Sequence, residues 1–276
     1  MKCLCTMKNL LTLIIAVMAG QFVYGQNPVQ KMESDQDIQQ TVPAGIVKFN
    51  SAEKFFTAGS NSKIYGRAFP IDRSKKYRLA GTFRNVGDGK SGPLYFGFAL
   101  FDADGMAIAP EHVNAITGSE TELAAAARKG DRVLKLADAS KWNGKLPASK
   151  CAFNIKRDFS DLPNRSVVSL KINSLKKTGE VWEVTLEKPL AADYPAGCAV
   201  RQHQSGAGMY AAAFGARPGA EWKTYSGVVR NGLMKPGNAA NQWWVGAKYA
   251  SILIMPNFGQ FSGKIEFKDI VLEITD

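Results

Sequence analysis

Histidine is nearly absent from this chain, and the usual catalytic motifs are missing. The only two histidines are His112 and His203, and neither has a second ligand at a spacing typical of a zinc site. The chain also lacks a G-x-S-x-G nucleophile elbow and a glycine-rich loop that would cradle a phosphate. No local motif therefore points to zinc, serine-hydrolase or nucleotide chemistry.

Cysteine is scarce as well, with four residues in the whole chain. Cys3 and Cys5 precede the first apolar run, so they cannot serve as lipid anchors after cleavage of a leader. Cys151 and Cys198 both lie in strand-like stretches. In an oxidising compartment an even pair predicts a disulfide, which would stabilise the fold by about 4 kcal/mol in the chain-entropy model. Two buried free thiols are the alternative.

Long apolar runs are missing except near the N-terminus, where Lys2 and Lys8 precede the run Leu10 to Ala19. About ten apolar residues are too few to span a bilayer and are typical of a signal peptide. We predict a signal peptide over residues 1–25, with cleavage after Gly25. Cleavage after Ala19 and a retained membrane anchor are the alternatives. The protein is thus expected to be exported to the periplasm, the cell surface or the medium.

Acidic residues are outnumbered, with 24 Asp and Glu against 35 Lys and Arg, and the formal charge is +11. Removing the two leader lysines leaves +11 − 2 = +9. The basic residues are scattered, and patterns typical of RNA-binding domains, helix-turn-helix proteins and zinc knuckles are missing, so no nucleic-acid partner is expected. A basic exported surface fits solubility, or attraction to an acidic polysaccharide or an anionic envelope.

The remaining sequence is rich in short strand patterns with alternating buried and polar positions. In Lys75 to Gly87, for example, Tyr77, Leu79 and Phe83 alternate with polar residues. The stretch Pro93 to Gly105 is apolar on both faces, which is typical of a central strand. Gly97 in its middle permits close approach by a neighbouring backbone or a ligand. These patterns predict an all-β protein of the sandwich type.

The sandwich pattern stops near Ile116 and resumes near Met209. We therefore predict a discontinuous sandwich over residues 44–116 and 209–276, interrupted by an inserted small β domain over residues 117–208. Residues 26–43 contain few large apolar residues and many Gln and Asp, so they are predicted to be a flexible tether.

The last strand contains a change of parity. Ile265 and Phe267 share one face of a regular strand, but Ile270 and Leu272 fall on the opposite face. Either the buried face changes along the strand, or an extra residue at Lys268-Asp269 returns all of them to the core, which is the simpler solution. The sequence therefore predicts a β-bulge there, which could turn Asp269 toward a cation.

The order of the phrases KKYRLAGTF, EWKTYSGVV, YASILIMP and IEFKDIVLE resembles that of the jelly-roll carbohydrate-binding modules found beside xylanases. The matching positions are Trp222, Tyr225 and Asp269, and the resemblance covers about half of the mature chain. It implies a jelly-roll β-sandwich and a polysaccharide or oligosaccharide ligand. It also implies a structural Ca²⁺, for which Asp269 and Glu53 are the candidate ligands, although the Glu-rich opening phrase usual in that family is missing here.

Sugar binding requires an exposed aromatic face with polar groups beside it. Trp243 and Trp244, within NAANQWWVG, are the first candidates. In an extended strand the two would point to opposite faces, so at most one would be a platform. Tyr95, Tyr249 and Arg84 are further candidates. Packing in the core is the alternative for each.

Two other classes of function stay open. A polysaccharide lyase or glycoside hydrolase could act on an acidic polysaccharide, with Arg201 and His203 on one strand face, or with Glu266 and Asp269 if the bulge aligned them. A structural envelope or protein-interaction module is the third. No catalytic residue is assigned, and the sequence favours a non-catalytic, carbohydrate-binding protein.

Overall fold

The computed structural model describes residues 29–59, 61–86, 90–232, 236–259 and 261–275. The predicted signal peptide, residues 1–25, lies outside the described residues. Within the described ranges, no helix is both long enough and apolar enough to cross a membrane.

Strands make up 48% and helices 3% of the structure, which confirms the predicted all-β class. One short helix, α1, covers Pro110–Val113, and a 3-10 turn covers Asp35–Asp37. In chain order the described strands are β1 (Gln30–Met32), β2 (Ile38–Val42), β3 (Val47–Asn50), β4 (Phe55–Ala58), β5 (Lys63–Pro70), β6 (Lys76–Val86), β7 (Leu94–Phe101), β8 (Thr121–Glu122), β9 (Val133–Leu136), β10 (Ser149–Phe153), β11 (Val167–Ser169), β12 (Lys176–Thr178), β13 (Val181–Thr185), β14 (Ala199–Gln204), β15 (Met209–Ala216), β16 (Lys223–Arg230), β17 (Tyr249–Met255) and β18 (Lys264–Thr275).

Two antiparallel sheets form the larger part of the fold. The six-stranded sheet has the order β16-β6-β18-β4-β3, with β1 paired to β18 beside this path, and the five-stranded sheet has the order β15-β7-β17-β5-β2. Their inner faces meet in one apolar core, where Phe83 of β6 packs edge to face on Phe96 of β7 with ring centroids 5.1 Å apart. The alternation of buried and polar residues follows from this packing, because each sheet turns one face inward.

Among the described strands, those between residues 121 and 204 form ladders only with one another, and His203 of β14 also makes an isolated bridge with Ala115. They form a four-stranded sheet, β11-β10-β14-β8, and a three-stranded sheet, β12-β13-β9. A second apolar cluster, separate from the sandwich core, fills the space around them. This is the segment that the sequence predicts as an inserted domain. That description and the jelly-roll winding stay predictions.

Residues 26–43 are predicted to be a flexible tether, and the described part of this segment, residues 29–43, contains two strands. β1 pairs with β18 and β2 pairs with β5, so main-chain hydrogen bonds hold the segment to both large sheets. Met32 is 1% exposed in the sandwich core, where a Cβ atom at Gly66 would come within 2.6 Å of its Cε. Polar composition did not prevent strand formation because edge strands gain their hydrogen bonds from the backbone while their outward side chains stay in water.

The bulge predicted in the last strand is confirmed. The register of β18 against β6 shifts between Lys268 and Val271, and Asp269 has a φ of 52°. Ile270 and Leu272 are each fully buried as a result. The bulge therefore allows one strand to bury apolar residues of both parities on the same face.

β7 is a central strand, as predicted, since it lies between β15 and β17. Gly97 in β7 is required by a neighbouring backbone rather than by a ligand. A Cβ atom there would lie 2.0 Å from the carbonyl oxygen of Met209 and 2.6 Å from the Cα of Tyr210. The start of β15 thus crosses β7 at a distance that only glycine permits.

Candidate functional site

Trp243 and Trp244 are not surface residues, which corrects the prediction that one of them is a sugar platform. They are 0% and 2% exposed. Trp243 packs edge to face on Phe98 and Tyr77, with centroids 5.2 and 5.3 Å apart. The indole Nε1 of Trp244 donates a hydrogen bond to the carbonyl of Ala239 at 2.9 Å. The tryptophans lie in a loop rather than an extended strand, so both can enter the sandwich core.

Tyr95 lies at the centre of an aromatic group on the outer face of the five-stranded sheet. Its ring centroid is 4.9 Å from Tyr210, 5.6 Å from Phe214 and 5.4 Å from Phe258. Phe214 is 67% exposed and Phe258 is 40% exposed. Together with the half-buried Tyr65 these residues are called the aromatic patch here: Tyr65, Tyr95, Tyr210, Phe214 and Phe258.

Strand register brings these rings together. Phe214 of β15 and Met255 of β17 both lie directly opposite Tyr95 of β7. The register of β15 shifts twice, between Met209 and Ala213 and again between Phe214 and Ala216. These irregularities place Tyr210 over the sheet, where its hydroxyl reaches the sulfur of Met255 at 3.7 Å. The patch therefore depends on the close crossing of β15 and β7.

Two tyrosine hydroxyls of the patch, those of Tyr65 and Tyr210, stay neutral near pH 7. Burial raises the pKa of Tyr65 above its ordinary value of 10.0. Burial likewise raises the pKa of Tyr210, and the nearby phenols of Tyr95 and Tyr65 raise it further. Each neutral hydroxyl can both donate and accept a hydrogen bond. The patch thus offers aromatic ring faces together with hydroxyl groups that can donate and accept hydrogen bonds.

Tyr249 does not join this group. It lies at the opposite end of β17, half-buried between Pro70 of β5 and Phe101 of β7. Six residues of extended strand, roughly 20 Å, separate it from Met255, which lies directly opposite Tyr95. The candidates Tyr95 and Tyr249 therefore do not form one site.

Arg84 lies on the other large sheet, on its outer face. It contacts Glu266 of β18 through its Nη2 at 2.6 Å, and its guanidinium lies 4.4 Å from the ring centroid of Trp222. Tyr225, which the family resemblance groups with Trp222, instead packs on the buried ring of Phe83 with centroids 5.9 Å apart. The ion pair also engages Glu266, the first of the two carboxylates considered for a hydrolase.

The two residues predicted to bind Ca²⁺ are both exposed. Asp269 occupies the bulge of β18, and Glu53 lies in the turn between β3 and β4, where its backbone N–H donates to the side chain of Asn50 at 3.1 Å. In the described part of the chain, no group of three or more His, Cys, Asp or Glu side chains is placed to hold a metal ion. The calcium site stays a prediction.

Cys151 and Cys198 are free thiols, so the predicted disulfide is wrong. Cys151 lies opposite Gln202 in the β10–β14 ladder, whereas Cys198 precedes Gln202 by four residues, roughly 13 Å of extended chain. A disulfide requires Cα atoms about 4 to 7 Å apart. Burial raises the pKa of the Cys151 thiol well above 9.0, with a smaller contribution from Cys198, which makes a reactive thiolate unfavourable.

Arg201 and His203, the pair considered for a lyase, are each 0% exposed and cannot reach a polymer. Arg201 Nη2 donates to Asp161 at 3.0 Å and its Nε donates to His203 Nε2 at 3.1 Å. His203 Nδ1 lies 2.8 Å from the carbonyl oxygen of Glu111 in α1. The network instead connects β14 to α1, between the two apolar cores.

We expect the protein to lose stability in mild acid because of His203. Burial, and then the charge of Arg201, lower the pKa of His203 from 6.5 to about 4, although the hydrogen bond to Glu111 opposes this shift. Between pH 6.5 and about pH 4, His203 is protonated in the unfolded chain but stays neutral in the folded chain. The free energy of unfolding should therefore fall by about 2 kcal/mol between pH 7.5 and pH 5.

Urea unfolding across this pH range measures the effect. In His203→Gln the amide can keep both hydrogen bonds but cannot titrate, so its stability should depend less on pH by about that amount. An equal pH dependence in wild type and variant would show that other groups cause the loss.

Sequence reasoning missed four residues of the aromatic patch. Tyr65, Tyr210, Phe214 and Phe258 come from three separate stretches, and only the register of β15, β7 and β17 with their neighbours joins them. The phrase MYAAAFGA did hold a signal, since a lone phenylalanine among small residues has little to pack against.

Searches with this chain match no protein-family model and no curated protein. The resemblance to jelly-roll carbohydrate-binding modules therefore stays a prediction.

Proposed function

We propose that this protein binds a glycan on the outer face of the five-stranded sheet, through the aromatic patch. The observation that carries the proposal is the 67% exposure of Phe214 on a strand whose other side chains are mostly small. Leaving a large ring in water forgoes roughly 1.5 to 3 kcal/mol of burial, so an exposed ring beside other rings typically marks a binding surface.

The chemistry of the patch fits a sugar. Pyranose rings present apolar C–H faces that pack on aromatic rings, and hydroxyls at their edges that need hydrogen-bond partners. Phe214 and Phe258 supply exposed apolar faces. Tyr65 and Tyr210 supply neutral hydroxyls that donate and accept, and Tyr95 adds a third hydroxyl. The resemblance to jelly-roll carbohydrate-binding modules and the predicted signal peptide both support a location outside the cytoplasm for this activity.

The test is a glycan-array screen of the mature protein, followed by affinity measurements for each glycan that binds. Phe214→Ala should weaken binding by about tenfold or more, as expected when a central ring contact is lost. The matched control is Ile172→Ala, which removes another exposed apolar side chain (56% exposed) in the segment between residues 121 and 204.

Selective binding that falls in Phe214→Ala and not in Ile172→Ala would support the proposal, provided that both variants keep the wild-type circular dichroism. Binding that is equal in Phe214→Ala and wild type would place the glycan elsewhere. Failure of the intact protein to bind any glycan on the array would reject the glycan as ligand for the glycans screened.

The same exposed rings favour a second candidate function, contact with another protein. An apolar patch with Phe214 and Phe258 at its surface also suits a protein interface, which would correspond to a structural or interaction module. Concentration-dependent self-association that Phe214→Ala abolishes, without any glycan binding, would favour this function over the first.

A further inference from the structure

The outer face of the six-stranded sheet is distinct from the aromatic patch. Residues that lie directly opposite each other on paired strands point to the same face of a sheet. Arg84 of β6 and Glu266 of β18 are such a pair and form an ion pair on the outer face, so the residues in register with them also point outward. By the same alternation Lys268, opposite Thr82, and Lys48, opposite Thr57, also point to the outer face. This surface is called the basic face here and is formed by the outward residues of β3, β4, β6, β16 and β18.

Cations outnumber carboxylates on the basic face. Its carboxylates at regular outward positions are Glu266 and Glu273, and each pairs with an arginine, Arg84 at 2.6 Å and Arg78 at 2.8 Å. Among the carboxylates that the structure describes, none lies within ion-pair distance of the following cations of the same face: Lys48, Lys264, Lys268 and Arg230. The face therefore carries a net positive charge that the described residues do not neutralise.

The indole ring of Trp222 lies next to two cations of the basic face. The ammonium of Lys268 lies 4.7 Å and the guanidinium of Arg84 lies 4.4 Å from its ring centroid. Phe55 supports the indole from the side, with ring centroids 6.2 Å apart. Trp222 itself stays partly exposed. The electron-rich ring holds two cations close together, although among the described carboxylates only Glu266 pairs with either of them, through Arg84.

We propose that the basic face is a second binding site, and that its ligand is an acidic polysaccharide, a polymer of sugars that carry carboxylates or sulfates. Lys264 and Lys268 are about 13 Å apart along β18, and Lys48 lies two strands, about 10 Å, away from that strand. No single monosaccharide spans these distances, whereas a polyanion meets several cations at once. Trp222 supplies an aromatic surface for one sugar ring of that polymer.

Two other polyanionic partners fit this face less well. Single-stranded nucleic acid is usually held by several stacking rings, but Trp222 is the only partly exposed aromatic side chain at the described outward positions, because Phe55 is buried. Binding to a membrane surface usually adds apolar residues that enter the lipid, and here the exposed large apolar residue on the face is Val228. The proposal does not depend on the aromatic patch, which lies on the other sheet.

The experiment measures binding of the mature protein to polygalacturonate and to the same polymer with its carboxylates methyl-esterified. The two variants compared are Lys264→Glu/Lys268→Glu on the basic face and Lys145→Glu/Lys177→Glu in the segment 121–204, which change the net charge equally. Single-stranded DNA and vesicles of phosphatidylglycerol are measured in parallel, each at about 50 mM and about 500 mM salt, which change the screening length severalfold.

We expect polygalacturonate to bind at low salt, and both esterification and Lys264→Glu/Lys268→Glu to weaken binding by about tenfold or more. The control pair should change binding by less than about threefold. An equal loss of polygalacturonate binding in both double variants would mean that net charge alone attracts the polymer, and would overturn the proposal of a site on the basic face. Tighter binding of DNA or vesicles than of polygalacturonate would overturn the proposal that the ligand is a polysaccharide. Retained binding of a neutral glycan by the charge variants would show that the aromatic patch is intact.

Discussion

Replacing Asp161 with alanine should lower the free energy of unfolding by about 3 to 5 kcal/mol. Arg201 is 0% exposed and Asp161 is its only described carboxylate partner, at 3.0 Å. The other contacts of the guanidinium are neutral: the carbonyl of Lys156 at 3.2 Å, His203 Nε2 at 3.1 Å and the ring of Phe159 at 4.7 Å. Removing the carboxylate therefore leaves a charge in the protein interior that the weaker attraction of Glu120 offsets only in part, which is far more costly than losing one hydrogen bond.

Urea unfolding at pH 7.5 measures this effect. The control is Glu183→Gln, which removes the partly exposed ion pair with Lys176 at the edge of the three-stranded sheet and should cost less than about 1 kcal/mol. The double variant Asp161→Leu/Arg201→Met should recover much of the stability that Asp161→Ala loses, because it removes both charges together. If Asp161→Ala unfolded within about 1 kcal/mol of wild type, the assignment of a buried, paired charge would be contradicted.

Gly97→Ala should destabilise the sandwich by about 3 kcal/mol or more and should also impair glycan binding. The new Cβ atom would lie 2.0 Å from the Met209 carbonyl oxygen and 2.8 Å from the Ala211 nitrogen. Both are backbone atoms, so no side-chain rotation can relieve the clash, and the start of β15 must move away from β7. That movement displaces Tyr210 and Phe214 from Tyr95.

The matched control is Gly219→Ala, where an added Cβ atom meets nothing within 4 Å. Its unfolding curve and glycan affinity should match those of wild type. A Gly97→Ala protein that binds glycan with unchanged affinity at a temperature where it is folded would show that the crossing of β15 and β7 does not position the ligand-binding rings.

Local patterns predicted much of the fold. The alternation in β6 follows from its one buried face, and the continuous apolar run of β7 follows from its central position, with a buried inner face and a partly buried outer face. Both patterns were readable from the sequence. The bulge at Lys268-Asp269 was readable too, because Phe267 and Ile270 differ in parity and yet both must be buried. The strands β1 and β2 were not predicted, because main-chain pairing at a sheet edge places few requirements on residue type.

The candidate site was much less predictable. Trp243 and Trp244 fit the composition of a sugar site, but a loop conformation turns both into the core. Tyr95 was identified from its residue type, whereas its partners Tyr210 and Phe214 lie more than one hundred positions away and meet it through the register of β15. Contacts set by long-range strand register cannot be read from local patterns.

The central claim is that the aromatic patch binds glycan, and NMR titration tests it most directly. Aromatic and methyl resonances would be followed while an oligosaccharide chosen from the array is added. The largest shifts should fall on Tyr95, Tyr210, Phe214 and the neighbouring Met255, and the shifts should saturate with one dissociation constant that Phe214→Ala raises by about tenfold. Saturating shifts confined to residues outside the outer face of the five-stranded sheet, with Phe214 unchanged, would contradict the claim.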